Sequence, residues 1–451
     1  MASLVGISNA MDWTNNMLTS VGMQIWNSRL AKQCFGIQIV AFDTAANHSP
    51  SPSPDAAIST CPVQTNSVPD MLELLRTNCP SLVGKDGHGA VFIPSSLVPT
   101  GDLQTMLSSY VANRHLVDNV EYERETLIAS DGGTISVDWT PIPSKSTSLD
   151  NRPIALILHG LTGGSIFLSS YCTIPFYIIL LTSPFHNLLF FLLLGSHEYY
   201  IRVVAKLLIS SKYNFRVAVI NSRGCSNTPL TSPRLYSASD TNDFRMVVDS
   251  IKARFPNTKL FGIGFSLGSN ILAKYIGEEE SNCPLSAAVS ICNPFNFNKF
   301  TDSINKPTLR NSLIYQPHMS KAIIRIINTH KSVLSTGSFQ FDFDKINNSK
   351  KISDIEDELS KSFGYKTRSD YHSDSSCDRL LPHIKVPTLF INSRDDPLLA
   401  PDCIPFPAFA SNPYIVLALT NHGGHLGFFE GIVHPTPWVS KPIAEFLSSF
   451  S

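Results

Sequence analysis

One serine in the chain lies between two glycines at a spacing that is typical of a covalent nucleophile. In the stretch GIGFSLGSNIL, residues 262–272, Gly264 and Gly268 each lie two positions from Ser266, after an apolar run and before a helical pattern. Glycines at this spacing keep Cβ atoms out of a tight strand-to-helix turn, so the turn can present the serine hydroxyl above a sheet. The helix N-terminus adds free N–H groups and a partial positive charge. The stretch therefore predicts that Ser266 attacks an acyl carbon.

A serine hydroxyl needs a base, and the base needs a third group that orients it. Two later loops, each directly after an apolar run, supply these groups in the order acid and then histidine. NSRDDP carries Asp395 and Asp396, and TNHGGHLGFFEG carries His422 and His425. We favour Asp396, because the proline after it would hold it extended, and we expect Asp395 to cap the loop. We favour His425, because two preceding glycines give its backbone a bendable approach to Ser266. His422 is the alternative base.

The negative charge that develops on the substrate oxygen needs N–H donors aimed at it. One donor should be the N–H of Leu267, the residue after the nucleophile. The second should come from the loop HGLTGG after the apolar run IALIL. There we predict the Leu161 N–H, with Gly160 allowing the backbone to approach closely. We expect the histidine of that loop, His159, to be structural rather than a second base.

The composition narrows the class of protein. The 451 residues are 43 % hydrophobic and 16 % charged with a formal net charge of −1, which indicates a globular core and gives no basic field for nucleic acid. The nine cysteines are scattered without C-x-x-C pairs or zinc spacing, which favours reduced thiols in a protein that faces the cytosol. The sequence also has no glycine-rich phosphate-binding motif, so the obvious nucleotide-binding classes are excluded.

Short apolar runs recur from Pro153 onward with helix-length segments between them: IALIL, RVAVI, KLFGI, LSAAVSI, VPTLFI and IVLAL. Strands buried on both faces have such continuous runs, and parallel strands need a crossover between them. The pattern predicts an α/β fold with a mostly parallel sheet flanked by helices. Before it, VEYERETLIASDGGTISVDWTP predicts a β-hairpin. Later, MSKAIIRIINTHKSVL and ISDIEDELSKSFG predict helices that form a cap over the sheet.

These patterns divide the chain into three parts. Residues 1–70 are expected to be a poorly ordered leader that ends in the Pro/Ser linker HSPSPSPDAA. Residues 71–152 contribute the N-terminal strands, and residues 153–451 form the core, with a helical cap at about 294–385. We expect no cleavable signal peptide in the leader, because Met1 to Ala10 lacks a basic start followed by an apolar block. Its mildly apolar stretch is interrupted by Arg29 and Lys32, so we predict no spanning helix there.

Several motifs together resemble those of the alpha/beta-hydrolase-domain lipases, a family of membrane-associated lipid serine hydrolases with acylglycerol lipases, phospholipases and esterases among its members. The resemblance runs from about Cys79 to the C-terminus. It depends on TGDLQT, DGGTISVDW, LHGLTGGS, NSRGCSNTPLTSPRLY, GFSLGSNILAKYIGEE, NSRDDPL and HGGHLGFFEG. The nucleophile, acid and base of the family match Ser266, Asp396 and His425.

The resemblance implies an α/β-hydrolase fold that hydrolyses acylglycerols or related lipid esters, without a metal or an organic cofactor. It also implies a lipid ester as the partner, association with a membrane surface, and a catalytic domain that faces the cytosol. Relatives in this family carry an N-terminal membrane anchor, which the leader of this chain does not convincingly show. The main hypothesis is therefore a monoacylglycerol lipase-like or carboxylic esterase activity.

Two other functions share the same residues. An acyltransferase would pass the acyl group from the acyl-enzyme to an alcohol instead of water, although the chain has no H-x-x-x-x-D segment of the kind that some lipid acyltransferases use. A catalytically impaired lipid-binding protein with the same fold would retain lipid and form no acyl-enzyme. The complete set of serine, acid and histidine argues against this second alternative.

An apolar insert of about thirty residues, 166–194, interrupts the loop that carries Leu161. In the resembling family this loop continues almost directly into EYYIR-like residues, whereas here no Asp, Glu, Lys or Arg occurs from Pro153 to His197. A single membrane span is excluded, because the loop and Ser266 must lie on one side of a membrane to share a site. Three interpretations stay open: translated non-coding sequence, which the repeated flanks GGS and GS favour, an interfacial lipid-facing insert, or a buried lid.

Overall fold

The structure is a computed structural model that describes part of the chain. The described residues are 36–41, 69–84, 89–112, 120–142, 151–161, 198–431 and 435–451. The expected insert at 166–194, most of the leader and the whole Pro/Ser linker lie outside the described residues. Within the described ranges, no helix combines the length and the apolar character that crossing a bilayer requires.

One nine-stranded sheet organises the described part of the chain. Its strands are β1 Gln38–Ala41, β2 Glu123–Ile128, β3 Thr134–Thr140, β4 Ile154–Leu158, β5 Arg216–Asn221, β6 Leu260–Phe265, β7 Leu285–Ile291, β8 Thr388–Ser393 and β9 Ile415–Thr420. Their order is β1-β9-β8-β7-β6-β4-β5-β3-β2. The strands from β9 to β5 pair in parallel, and the antiparallel pairs lie at the two edges. The predictions of a mostly parallel sheet and of the β2–β3 hairpin are confirmed.

The continuous apolar runs form strands that are covered on both faces. Every residue of β4, β5 and β6 is buried. Because side chains alternate along a strand, Ile157 and Val219 join one hydrophobic cluster while Leu156 and Ile220 join the cluster on the other face. Full burial of such a side chain contributes about 1.5–3 kcal/mol, so both faces must be packed against helices.

Helices cover both faces, as the crossovers between parallel strands require. They are α1 Met71–Asn78, α2 Gly101–Ala112, α3 Tyr199–Ile209, α4 Asn242–Arg254, α5 Leu267–Glu279, α6 Phe297–Asn305, α7 Gln316–Thr329, α8 Lys331–Leu334, α9 Phe343–Asn348, α10 Ile352–Ser362, α11 Arg368–Ser375, α12 Phe406–Ser411 and α13 Ser440–Ser448. Side chains of α3 and α13 belong to one cluster, and side chains of α4 and α5 belong to the other.

Six helices, α6 to α11, lie between β7 and β8, where the sequence predicts a cap. Isoleucines of α7 and α10 meet there in a third hydrophobic cluster. The sequence predicts one helix over 319–334, but the structure has two, α7 and α8, with the non-helical His330 between them at φ −108° and ψ 14°. The His330 imidazole hydrogen-bonds the carbonyl oxygen of Gly224 at 3.0 Å.

Part of the expected leader belongs to the sheet. Residues 36–41 fall within the range 1–70, for which the sequence predicts poor order, yet Gln38–Ala41 form β1 and pair antiparallel with β9. This corrects the prediction for these six residues. The four-residue strand is only partly buried, and its stability comes from pairing with a fully buried neighbour rather than from a pattern of its own.

Candidate active site

Ser266 occupies the turn between β6 and α5. Its φ of 52° and ψ of −117° lie outside the regions that L residues prefer, so the turn is strained. The flanking glycines make this turn possible. A Cβ on Gly264 would lie 2.5 Å from the Cα of Ser269. A Cβ on Gly268 would lie 2.5 Å from the carbonyl oxygen of His159. The strand-to-helix turn that the sequence predicts is present, with its serine at the carboxyl end of β6.

The imidazole of His425 bridges Ser266 and Asp396. Its Nε2 lies 2.9 Å from Ser266 Oγ, and its Nδ1 lies 2.8 Å from Asp396 Oδ2. The carboxylate is fully buried and the imidazole is 9 % exposed. When Nδ1 carries its proton toward the carboxylate, Nε2 presents a lone pair to the serine hydroxyl. The three side chains that the sequence predicts therefore meet in an arrangement that can take a proton from the hydroxyl.

Two backbone donors hold the Asp396 carboxylate in place. Its Oδ1 accepts the N–H of Leu398 at 2.9 Å and the N–H of Leu399 at 3.2 Å. A buried carboxylate needs such partners, because it has lost its hydration. These bonds use one oxygen and leave the other directed at His425.

A second pair of acid and imidazole lies beside the first. His422 Nδ1 is 3.2 Å from Asp395 Oδ2, and the two side chains are 31 % and 23 % exposed. Asp395 Oδ1 also accepts the N–H of Gly424 at 2.9 Å. Asp395 thus caps the loop that leads into His425, as the sequence predicts. The alternative base, His422, pairs with this capping acid, whereas the imidazole bonded to Ser266 is that of His425.

The backbone around Gly160 closely approaches the serine. A Cβ on Gly160 would lie 3.4 Å from Ser266 Cβ. Its N–H donates to the Tyr200 hydroxyl at 3.2 Å, and its carbonyl accepts from His159 Nδ1 at 2.7 Å. In a trans peptide the N–H points away from the carbonyl, so the second bond also fixes the direction of the Leu161 N–H.

The predicted oxyanion residues Leu161 and Leu267 both line the cavity that contains Ser266. Leu267 is the first residue of α5, where a helix has free N–H groups. The carbonyl of Leu161 accepts a hydrogen bond from the Tyr236 hydroxyl. The Leu161 peptide is therefore anchored on both sides, immediately before residues that lie outside the described ranges.

His159 supports the loop that carries Leu161. Both of its ring nitrogens bond backbone groups, so it does not act as a base for Ser266. Its Nε2 accepts the N–H of Ser222 at 3.2 Å, so the ring proton must sit on Nδ1, where it is donated to Gly160. Burial lowers the pKa of His159, which keeps the imidazole neutral. The structural role that the sequence suggests for this histidine agrees with these contacts.

Two side chains of α2 hold the loop that carries His425, and sequence analysis assigned them no role. Thr105 Oγ1 accepts the His425 N–H at 2.8 Å and donates to the carbonyl of Gly101 at 2.7 Å. The buried Gln104 exchanges two hydrogen bonds with the backbone of Phe429, at 3.1 Å and 2.5 Å. Both residues belong to TGDLQT, one of the motifs that carry the family resemblance. The sequence therefore marked this segment, but it gave no physical role for the two side chains.

The nearest candidate metal ligands belong to the same site. Among the described residues, Cys292, Asp396 and His425 have ligand atoms within 4.8 Å of one another. However, Cys292 Sγ accepts the N–H of Leu426 at 3.3 Å, and burial raises the pKa of its thiol, so a thiolate is disfavoured. Because the carboxylate and the imidazole bind each other, these donors do not fit a metal ion.

An apolar cavity of about 910 Å³, including its opening, contains Ser266 and His425 in its wall. Aliphatic and aromatic side chains form most of the lining, and many come from α6, α7 and α10: Phe297, Phe300, Met319, Ile323, Ile326, Ile352 and Leu359. One carboxylate, that of Glu356, also lines it and hydrogen-bonds His372 Nε2 at 3.1 Å. The apolar lining, with Ser266 and His425 in the wall, suits an acyl chain.

The comparisons with known proteins agree with this fold. The family model described as alpha/beta hydrolase fold matches residues 156–432. The monoacylglycerol lipase of Saccharomyces cerevisiae is 30 % identical over 421 residues, which cover 84 % of each chain. The embryogenesis-associated protein EMB8 of Picea glauca is 30 % identical over 73 % of this chain and 66 % of its own length.

A third similar protein is phospholipase ABHD3 of Bos taurus, which is 29 % identical over 73 % of this chain and 71 % of its own. The family model covers more than half of the chain, and the yeast relative is matched over most of its length. The chain is therefore a member of the alpha/beta hydrolase family and a carboxylic ester hydrolase.

Proposed function

We propose that the protein hydrolyses acyl esters of lipids, with monoacylglycerols as the main substrate class, through Ser266, His425 and Asp396. The observation that carries the proposal is the pair of contacts made by one imidazole, 2.9 Å to the serine hydroxyl and 2.8 Å to the carboxylate. Both distances lie within reach of proton transfer, and the buried carboxylate has the surroundings expected of an orienting group.

In the proposed mechanism His425 takes the proton of Ser266 as Oγ attacks the ester carbonyl. Asp396 holds the imidazole in the required tautomer and stabilises the imidazolium. The N–H groups of Leu161 and Leu267 donate to the oxyanion, each worth about 100- to 1,000-fold in rate. The imidazolium then protonates the departing alcohol. Water, deprotonated by the same imidazole, hydrolyses the acyl-enzyme and restores the serine.

The apolar cavity and the relatives support a lipid as the acyl donor. The cavity wall comes largely from helices between residues 294 and 385, so we assign the cap the task of binding the acyl chain. The yeast relative is named a monoacylglycerol lipase and the bovine relative a phospholipase. Because such substrates reside in membranes, we also propose that the enzyme works at a membrane surface with its catalytic domain in the cytosol.

Labelling with a fluorophosphonate tests the assignment of the nucleophile. Wild-type protein should form a covalent adduct that is located on Ser266 by peptide mass spectrometry, and Ser266→Ala should not label. Ser411→Ala, at the end of α12 and exposed, is the matched control and should label like wild type. Labelling of Ser266→Ala at another serine would contradict the proposed mechanism.

Product analysis separates hydrolysis from the two alternatives. With monoacylglycerol and water alone, a hydrolase releases fatty acid. With added glycerol or ethanol, an acyltransferase shifts the products to new esters, because the alcohol competes for the same acyl-enzyme. A lipid-binding protein would retain substrate and give neither product. We expect fatty acid to remain the dominant product.

A further inference from the structure

A short connection in the cap presents leucines to solvent, although the proposed chemistry does not use them. Residues 306–313, which we call the 306–313 loop, follow α6, and from Leu309 onward they are helical and run through a π-helical turn, Asn311–Tyr315, into α7. Leu309 is 80 % exposed and Leu313 is 63 % exposed. Scattered apolar side chains are ordinary on protein surfaces, but two of them in one short loop form a local apolar projection.

The same region is strongly cationic. From residue 303 to residue 341 the chain has five Lys or Arg residues and no Asp or Glu, in a protein whose formal net charge is −1. All five are exposed: Lys306, Arg310, Lys321, Arg325 and Lys331. On α7, Lys321 and Arg325 lie on the solvent side, opposite the isoleucines that are buried in the cap. The Nη1 of Arg310 lies 3.5 Å from a carboxylate oxygen of Asp102, which offsets part of the charge at the loop, whereas Lys321 and Arg325 carry positive charge along the outer side of α7.

Hydrogen bonds fix the shape of the loop. Asn311 is buried, and its Nδ2 donates to the carbonyls of Ser303 and Lys306, both at 3.1 Å. The Tyr315 hydroxyl donates to Asp102 Oδ1 at 2.6 Å, which ties the end of the loop to α2. Leu309 and Leu313 are thus exposed on a segment that hydrogen bonds hold in place.

The loop also lies next to the elements that bind the acyl chain. It joins α6, whose Phe300 lines the cavity, to α7, whose Met319 and Ile323 line it too. A surface that contacts the loop therefore lies against the cap.

We propose that the 306–313 loop docks the enzyme on an anionic lipid bilayer, with Leu309 and Leu313 inserted between acyl chains and the neighbouring cations on the lipid phosphates. Apolar side chains flanked by Lys and Arg are typical of proteins that bind the membrane interface. Each cation near an anionic leaflet strengthens binding about fivefold. The inference rests on the proposed work at a membrane and deepens it, since it assigns the surface through which the enzyme meets that membrane.

Vesicle binding by the whole protein tests the proposal. The probes are vesicles of phosphatidylcholine alone and vesicles with about one third phosphatidylserine, and co-sedimentation measures the partition coefficient. Wild type should prefer the anionic vesicles, and high salt should weaken that preference. Leu309→Gln with Leu313→Gln should lower partitioning at least about tenfold. Lys321→Gln with Arg325→Gln should lower it by about 25-fold on anionic vesicles only.

The matched control uses two exposed isoleucines at the far edge of the sheet. Ile128 and Ile142 are 63 % and 51 % exposed. Ile128 lies on β2, six strand positions or roughly 30 Å from β8, and the residues after β8 share a cleft with the 306–313 loop. Ile128→Gln with Ile142→Gln should bind vesicles like wild type. Equal loss in this control would mean that the effect is general surface hydrophobicity, and the proposal would fail.

Activity separates the docking surface from the active site. The leucine variant should hydrolyse a soluble short-chain ester like wild type and should lose activity on vesicle-borne monoacylglycerol in proportion to its lost binding. Binding needs no turnover, so an error in the catalytic assignment would leave the sedimentation result unchanged. Unaltered vesicle binding by the leucine variant would overturn the proposal. A change from dimer to monomer without any change in vesicle binding would instead identify the loop as a contact between two copies of the chain.

Discussion

Replacing Asp396 with Asn isolates what the carboxylate does for the imidazole. The Oδ1 of Asp396 accepts two backbone N–H groups, while Oδ2 faces His425 Nδ1 at 2.8 Å. An asparagine can keep the two backbone bonds through its oxygen only by turning its NH₂ group toward the imidazole. Nδ1 must then accept a hydrogen bond, so the ring proton moves to Nε2, which faces Ser266. The imidazole is then no longer a base, and we expect kcat to fall about 10⁴-fold, or about 5.4 kcal/mol.

The assay compares initial rates on a soluble chromogenic ester and on monoacylglycerol, together with thermal unfolding to verify that each variant is folded. Asp395→Asn is the matched control, because this acid accepts the Gly424 N–H and pairs with the half-exposed His422. We expect the control to retain activity within about tenfold of wild type, since only a loop contact of about 1 kcal/mol is weakened. If Asp396→Asn kept such activity, or if Asp395→Asn lost the 10⁴-fold, our assignment of the acid would be wrong.

Further predictions concern the turn at Ser266, the loop that carries Leu161 and a buried thiol. Gly268→Ala should destabilise the protein by about 1–3 kcal/mol in urea unfolding, because its Cβ would lie 2.5–2.6 Å from the carbonyl oxygens of His159 and Leu158; Gly160→Ala, with 3.4 Å to its nearest atom, should cost less than about 1 kcal/mol. His159→Gln should lower kcat more than it raises KM, since the loop that carries the proposed oxyanion donor Leu161 loses its anchor. Burial lowers the pKa of His159, so stability is lost as pH falls below the unfolded value of about 6.5, and the thermal unfolding temperature of His159→Gln should depend less on pH in that range. Burial raises the pKa of Cys225 to about 12, so iodoacetamide at pH 8 should modify it only after unfolding, as peptide mass spectrometry can show.

Much of the sheet and the candidate site follows from short-range signals in the sequence. The six apolar runs are strands because only residues buried on both faces can be apolar without interruption. Parallel strands end at one edge of a sheet, so Ser266, Asp396 and His425, each in the segment that follows a strand, were expected to lie close together. The two glycines that flank Ser266 could also be explained from the sequence, because a tight turn leaves no room for side chains there. In the structure, a Cβ on Gly264 or Gly268 would indeed lie too close to neighbouring backbone atoms.

Other features depend on contacts between distant parts of the chain, and their sequences carry no local mark. The residues QIVA of β1 become a strand only because β9 lies beside them, more than 370 positions away. Likewise Gln104 and Thr105 look like ordinary helix residues, and their importance comes from the backbone of the His425 loop, which reaches them from the other end of the chain. A pattern within one segment cannot predict such partners, because the pairing is decided by how the whole sheet closes.

The position of β1 has a practical consequence for anyone who produces this enzyme. The Pro/Ser linker invites truncation, yet a chain that starts after it would lack Gln38–Ala41 and leave the outer edge of β9 open. That edge consists of six buried residues, IVLALT, whose free backbone groups would seek another strand. We expect such a shortened protein to aggregate. Since β9 leads directly into the loop with His425, the soluble fraction should also lose turnover, although every triad residue would still be present.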